Sequence, residues 1–140
     1  MTGSYAGDVS PRDAWTALEM HPDTVLIDVR TKAEWSFVGV PDLHHLDKKV
    51  LKIEWQTWPD GTPNPHFVDD VAAAGVQPGQ KVLLLCRSGG RSKAAAQLLT
   101  TRGWLHCYNV SDGFEGPQDE NGHRGHLAGW KHNGLPWAQG

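Results

Sequence analysis

The segment that most limits how this chain can fold is Lys81 to Leu85, with Cys86 directly after it. Val82 to Cys86 is the longest unbroken apolar run in the sequence. A run without polar alternation fits a strand buried on both faces of a parallel sheet, because a half-exposed strand alternates. Parallel neighbours cannot be joined by a tight hairpin and need crossovers, usually helices. The punctuation on either side supplies them. Arg87 to Gly90 turns the chain, and Arg91 to Arg102 reads as a helix with Ala94, Ala95, Leu98 and Leu99 inward and Gly103 as its stop. His106 to Val110 is the last strand.

The same alternation runs through the first half of the chain. Ser10 as N-cap, Pro11 at the first helical position and Asp13 in the first turn predict a helix with Ala14, Trp15, Ala17 and Leu18 as its buried stripe. Val25-Leu26-Ile27 predicts a strand ending at Asp28-Val29-Arg30. Thr31 with Glu34 three residues later has the capping-box spacing for a short helix. Val50 to Trp55 is a weaker strand, followed by a Pro/Gly-rich loop over Pro59 to Pro65. Asn64-Pro65 opens a helix to about Ala74, stopped at Gly75. Strands alternating with helices of these lengths predict an α/β fold: an open, mostly parallel sheet with helices on both faces. In such a sheet ligands bind beyond the carboxyl ends of the strands, which is where Cys86 falls.

Length and charge narrow the partners. With 140 residues, 39% hydrophobic and 21% charged, the chain suits one domain over 1–140, in which 115–140 is a Gly/His/Trp-rich loop with a short helix near Leu127 to His132. Thirteen Lys+Arg against sixteen Asp+Glu give a formal charge of −3 with no block of like charge. That argues against nucleic acid or an anionic membrane as partner, so an anion site has to be local. No run approaches the roughly 20 apolar residues of a spanning helix. Met1 to Asp8 lacks the basic start of an export signal, and the expected compartment is the cytoplasm. Two cysteines cannot build a disulfide framework, and their spacing matches no zinc pattern.

Cys86-Arg87-Ser88-Gly89-Gly90-Arg91-Ser92 reads as an anion cradle around a thiol. Paired glycines let the backbone curl with N–H groups inward, and the helix that follows adds its positive end. Helix N-termini and neighbouring cations convert a thiol into a thiolate nucleophile. Arg87 and Arg91 offer charge-assisted donors to an oxyanion, while Ser88 and Ser92 can donate to the sulfur or cap the helix.

On these residues the chain resembles the rhodanese family. Leu26-Ile27-Asp28-Val29-Arg30 with Glu34-Trp35 is similar to its first signature, and Val82 to Ser92 to its active-site strand and loop. Asn109-Val110 through Gly113-Phe114 resembles the segment after its last strand, and Gly134-Leu135-Pro136-Trp137 its C-terminal signature. The resemblance implies a five-stranded parallel sheet, Cys86 as the sulfur acceptor that becomes a persulfide, and Arg87 and Arg91 as donor-binding charges. It implies a small anionic sulfur donor such as thiosulfate, a cyanide or thiol acceptor or a protein sulfur acceptor, and no cofactor. Four residues separate Cys86 from Arg91, the spacing of sulfurtransferases; related cysteine phosphatases place one more, which enlarges the cradle. A phosphatase or arsenate reductase is therefore the weaker enzymatic alternative. A module that carries sulfur or docks on a partner without turnover is the alternative of another class.

The remaining polar residues divide by their surroundings. Asp28 and Arg30, at another strand end near the site, read as scaffold, with Arg30 pairing with Glu34. Cys107 reads as a small core residue rather than a resolving thiol. His123, His126 and His132 on their Gly-rich loop match no compact ligand spacing, so no metal site is expected. His44-His45 reads as a solvated loop. Trp15, Trp35, Trp104 and Trp130 read as core anchors, with Trp55, Trp58 and Trp137 free to line a groove. Glu115 to Gly129 follows the last strand and is expected to fold over the active-site mouth and shape acceptor access.

Overall fold

The computed structural model describes residues 4–139. Its centre is the apolar strand. β5 (Val82–Leu85) is buried at every position, flanked in parallel by β2 (Val25–Asp28) and β6 (Cys107–Val110). β4 (Leu51–Lys52) extends the sheet beyond β2, and β1 (Gly7–Val9) extends it beyond β6, both in parallel. The order is β1-β6-β5-β2-β4, the five-stranded parallel sheet implied by the resemblance. The chain leaves β2 toward β4 and returns through β5 to β6, so its direction reverses between β2 and β5. Their carboxyl ends, where Asp28 and Cys86 lie, flank that switch point.

Strand alternation sorts the core into two layers. Val82, Leu84 and Cys86 face one side, with Ile27, Val29, Phe67, Val71, Ala95 and Leu99. Leu83 and Leu85 face the other, with Ala14, Leu18, Leu26, Phe114 and Trp130. Helices α3 (Phe67–Ala73) and α4 (Gly90–Thr101) cover the first face, and α1 (Pro11–Met20) covers the second. The caps follow the residue chemistry. Ser10 accepts from the Asp13 N–H at the start of α1, and Thr31 and Glu34 form a reciprocal capping box on α2 (Lys32–Phe37). The buried residues of α1 are Pro11, Ala14 and Leu18, with Trp15 and Ala17 half-buried.

Several boundaries differ from the pattern-based expectation. Asn64 does not cap α3 directly: its side chain accepts from the His66 N–H, and the helix begins at Phe67. Of the inward residues predicted for α4, Ala95 and Leu99 are buried, Ala94 and Leu98 are half-buried, and Ser92 and Ala96 complete the buried stripe. The helix expected near Leu127 to His132 is a run of turns. Gly125, Gly129 and Gly134 adopt φ of 85°, 111° and 71°, left-handed conformations that interrupt a helix. The C-terminal stretch is instead tied down by a two-stranded antiparallel pair, β3 (Val40–Pro41) with β7 (Trp137–Ala138). His44 and His45 sit in a short 3₁₀ turn. Among the described residues no helix is long and apolar enough to cross a membrane.

Candidate active site

Cys86 follows β5 directly and is 1% exposed. Its Sγ accepts two hydrogen bonds, from the Gly89 N–H at 3.1 Å and from Ser92 Oγ at 3.2 Å. Both donors come from the turn into α4, whose first-turn N–H groups have no partner within the helix and open on this loop. Gly89 is the N-cap at φ 113°, and a Cβ there would sit on the Ser111 carbonyl oxygen. The neighbouring Gly90 meets nothing within 4 Å. Of the two predicted cradle glycines, only Gly89 has a conformational and steric reason to be glycine, and only its N–H reaches the sulfur. Gly113 (φ 69°) is a third position of this kind: a Cβ there would collide with the Arg87 backbone. That close approach lets the Phe114 N–H donate to the Cys86 carbonyl at 2.8 Å and the Glu115 and Gly116 N–H groups to the Arg87 carbonyl at 3.0 and 3.1 Å.

Ser92 is fully buried, and its Oγ also lies 2.6 Å from Asn109 Oδ1. A hydroxyl carries one proton and serves one acceptor at a time. The Asn109 amide is oriented by donating Nδ2–H to Asp8 Oδ1 at 3.1 Å. The Ser92 proton therefore serves either Asn109 or the sulfur.

The arginines separate in role. Arg87 is exposed, whereas Arg91 is engaged: its Nη1 and Nη2 donate to Glu34 Oε1 at 2.6 Å and Oε2 at 2.9 Å. This two-pronged bond corrects the expectation that Glu34 partners Arg30. Burial pushes the Glu34 carboxyl up, but hydrogen bonds and charge from Arg91 outweigh it and hold the group below the ordinary carboxylate range. Arg91 is raised in turn, first by the Glu34 hydrogen bonds, with smaller support from the charges of Glu34, Cys86 and Asp28.

Arg30 turns inward instead. Both it and Asp28 are 0% exposed, and Nε and Nη2 of Arg30 bond the Asp28 carboxylate, with the shortest contact at 2.7 Å. Nη2 also donates to the Gly39 carbonyl at 2.6 Å, and the guanidinium lies 4.2 Å from the centre of the Phe114 ring. Asp28 and Arg30 thus join the end of β2 to the Gly39 turn and to the segment that binds the cysteine loop.

A cavity of about 530 Å³ opens beside the loop. Glu34, Arg87, Arg91, Glu115 and Arg124 line it, with an apolar rim that includes Phe37, Val38 and Trp58. Cys86 itself is buried and is not one of the residues lining the cavity. Ser88 is half-buried and Gly90 exposed. Glu115 and Arg124 bring the 115–129 segment to the cavity wall, and their part there was not assigned from sequence. Cys107 lies elsewhere. It pairs with Val82 at the opposite end of β5, four residues from Cys86, so the two cysteines are roughly 13 Å apart along the strands, beyond disulfide reach. Burial pushes the Cys107 thiol up to about 12.

Comparison with known proteins agrees with this geometry. The family model of the STR4 middle domain matches residues 6–140. The chain is 40% identical over 127 residues to the uncharacterized protein RC0915 of Rickettsia conorii, covering 89% of this chain and 90% of that one. It is 25% identical over 129 residues to the thiosulfate sulfurtransferase GlpE of Actinobacillus pleuropneumoniae, covering 92% and 90%. Among solved structures, Rv0390 from M. tuberculosis superposes with a TM-score of 0.89 at 48% identity, covering 98% of this chain and all of that one. With its parallel sheet, its cysteine loop between β5 and α4, and these relatives, the chain belongs to the rhodanese-like family.

Proposed function

We propose that the chain is a sulfurtransferase that moves a sulfane sulfur from an anionic donor such as thiosulfate to a thiophilic acceptor, cyanide or a thiol, through a persulfide on Cys86. The observation that carries this reading is the pair of donors, Gly89 N–H and Ser92 Oγ, converging on one sulfur at the carboxyl end of the central strand. Preorganised donors aimed where charge resides are the main electrostatic lever of a protein site. The rhodanese-like family of the chain supports the class of reaction, and the name of the Actinobacillus relative suggests the donor.

In the first half-reaction the Cys86 thiolate attacks the outer sulfur of thiosulfate. A new S–S bond forms as the old one breaks, and sulfite departs with the bonding electron pair. In the second, the acceptor attacks the terminal sulfur of the persulfide, and the thiolate returns with that bond's electrons. Nothing else is oxidised or reduced, and the reaction calls for no cofactor. Gly89 N–H and the Ser92 hydroxyl hold the negative sulfur between the steps. Three arginines against two glutamates in the cavity favour an anionic donor. Arg87, exposed and lining the cavity next to Cys86 in the chain, is the charge that meets the donor. That Glu115 and Arg124 line the cavity supports a role for the 115–129 segment in acceptor access.

Thiocyanate production from thiosulfate and cyanide tests the reading. Wild type forms thiocyanate and Cys86→Ser forms none, whereas activity in the serine variant, or release of phosphate from an aryl phosphate in place of sulfur transfer, contradicts it. The alternative reading is a sulfur carrier that loads but does not turn over small acceptors. A persulfide formed from thiosulfate that cyanide fails to discharge selects it.

A further inference from the structure

Outside the cysteine site, the segment after β6 brings together three side chains that sequence spacing left apart. Among the described residues, Asp119, His123 and His126 form a group whose ligand-type atoms all lie within 4.8 Å of one another. The third histidine of that stretch, His132, turns away to within 3.3 Å of the Gly125 carbonyl. Asp119 takes its place because the backbone folds back on itself. The Asp119 N–H donates to the His123 carbonyl at 2.8 Å, and the Gly122 N–H donates to the Asp119 carbonyl at 3.0 Å. Asp119 Oδ1 accepts from the Asn121 and His123 N–H groups, each at 2.9 Å. One carboxylate oxygen is thus spent on the turn.

The other, Oδ2, lies 3.7 Å from His126 Nδ1. That is too long for a hydrogen bond. It is close to the roughly 3.4 Å between two ligands of one tetrahedral ion with bonds of about 2.1 Å. The His123 and His126 rings stand 5.8 Å apart between centres, and both side chains are exposed and free to rotate by the remaining distance. The donor set points to the kind of ion. Calcium and magnesium seek six or more oxygens, whereas imidazole nitrogens suit zinc and its first-row neighbours.

We propose that Asp119, His123 and His126 bind one divalent transition-metal ion of the zinc type, with solvent completing its coordination. The site is distinct from Cys86, and its consequence is mechanical. Arg124 lies between the two histidines in sequence, lines the cavity, and donates Nη1–H to the Gly116 carbonyl at 2.8 Å. The Gly125 N–H donates to the Glu115 carbonyl at 2.7 Å. An ion held by this turn pins the segment that carries Arg124 to the cavity wall.

The test titrates the full chain with Zn²⁺ against a chromophoric chelator, in a Cys86→Ser background so that the thiol cannot compete as a ligand. One ion binds per chain. Asp119→Asn, His123→Ala and His126→Ala each weaken it by at least about tenfold, with unchanged circular dichroism. His44→Ala/His45→Ala, which removes the other exposed histidine pair, leaves binding as it was. Hydrogen exchange of the Asp119 to Gly125 amides slows when Zn²⁺ is added. No binding, binding indifferent to the three substitutions, or loss in the His44/His45 variant overturns the site. Binding without slowed exchange overturns the pinning. Neither readout depends on sulfur transfer.

Discussion

Glu34 and Arg91 act as one unit, and a double-mutant cycle measures how tightly. Their two charge-assisted hydrogen bonds are short, 2.6 and 2.9 Å, and both side chains are only about a fifth exposed, 20% and 21%. Exposed ion pairs contribute at most about 1 kcal/mol, and buried hydrogen bonds to charged groups about 1.5–3 kcal/mol. A pair at this depth falls between, at about 1–2 kcal/mol of coupling. Glu34→Gln keeps the shape and the Oε1 contact to Thr31 that closes the capping box while removing the charge. For a chain of this length it lowers Tm by roughly 3–8 °C. Urea melts of Glu34→Gln, Arg91→Ala and the double variant give the coupling directly. Because Arg91 holds the Glu34 carboxyl below its ordinary range despite burial, the unfolded chain takes up the proton first as pH drops. The stabilisation is therefore complete above about pH 4.3 and is lost as pH falls from there through the folded-state value. The gap between wild type and Glu34→Gln closes over the same range. Single-variant effects that add to within about 0.5 kcal/mol at neutral pH refute the pairing.

Three further outcomes follow from particular contacts. Gly89→Ala forces a side chain into φ 113° and onto the Ser111 carbonyl, costing about 3 kcal/mol or more. Gly90→Ala, in open space on the first turn of α4, is neutral or stabilising by up to about 1 kcal/mol; equal effects in urea melts contradict the division of labour between the two glycines. Arg30→Met leaves the buried Asp28 carboxylate without its cation and costs roughly 3–5 kcal/mol, and a loss under about 1 kcal/mol removes Arg30 from the scaffold. The Cys107 thiol, pushed up to about 12 by burial, is neutral when folded. Its contribution is complete below about pH 8.5 and lost as pH rises toward 12, at up to about 1.4 kcal/mol per pH unit. Cys107→Ala flattens that alkaline decline, and an unchanged pH profile contradicts the assignment.

What was legible in sequence was what is decided locally. The buried run of β5, the caps at Ser10 and Thr31, the stops at Gly75 and Gly103 and the cysteine loop depend on neighbours a few residues away, and the elements formed where the residues demanded. β1 has no such signature: Gly7-Asp8-Val9 is a strand only because Tyr108 to Val110 lies beside it. β3 and β7 are two residues each and exist by pairing with one another between distant parts of the chain. Ser92 and Ala96 join Ala95 and Leu99 in the buried stripe of α4, which packs on both β5 and β6, a constraint its own periodicity does not carry.

The site divides in the same way. Cys86, Gly89 and Ser92 were found by spacing, since one tight turn brings them together. Arg91 was identified but not its partner, because Glu34 is 57 positions away and equally plausible beside Arg30. Asn109 came into view only through the family resemblance, and its contact with Ser92 depends on the register of β6 against α4. Glu115 and Arg124 belong to a segment held by backbone bonds and left-handed glycines, where there is no hydrophobic period to read.

The most direct measurement is intact-mass spectrometry of the protein after incubation with thiosulfate, followed by peptide mapping. A gain of one sulfur atom, located on Cys86, absent from Cys86→Ser and discharged by cyanide, is the expected result. An unmodified chain, or sulfur found on Cys107 instead, would contradict the assignment of Cys86 as the sulfur acceptor.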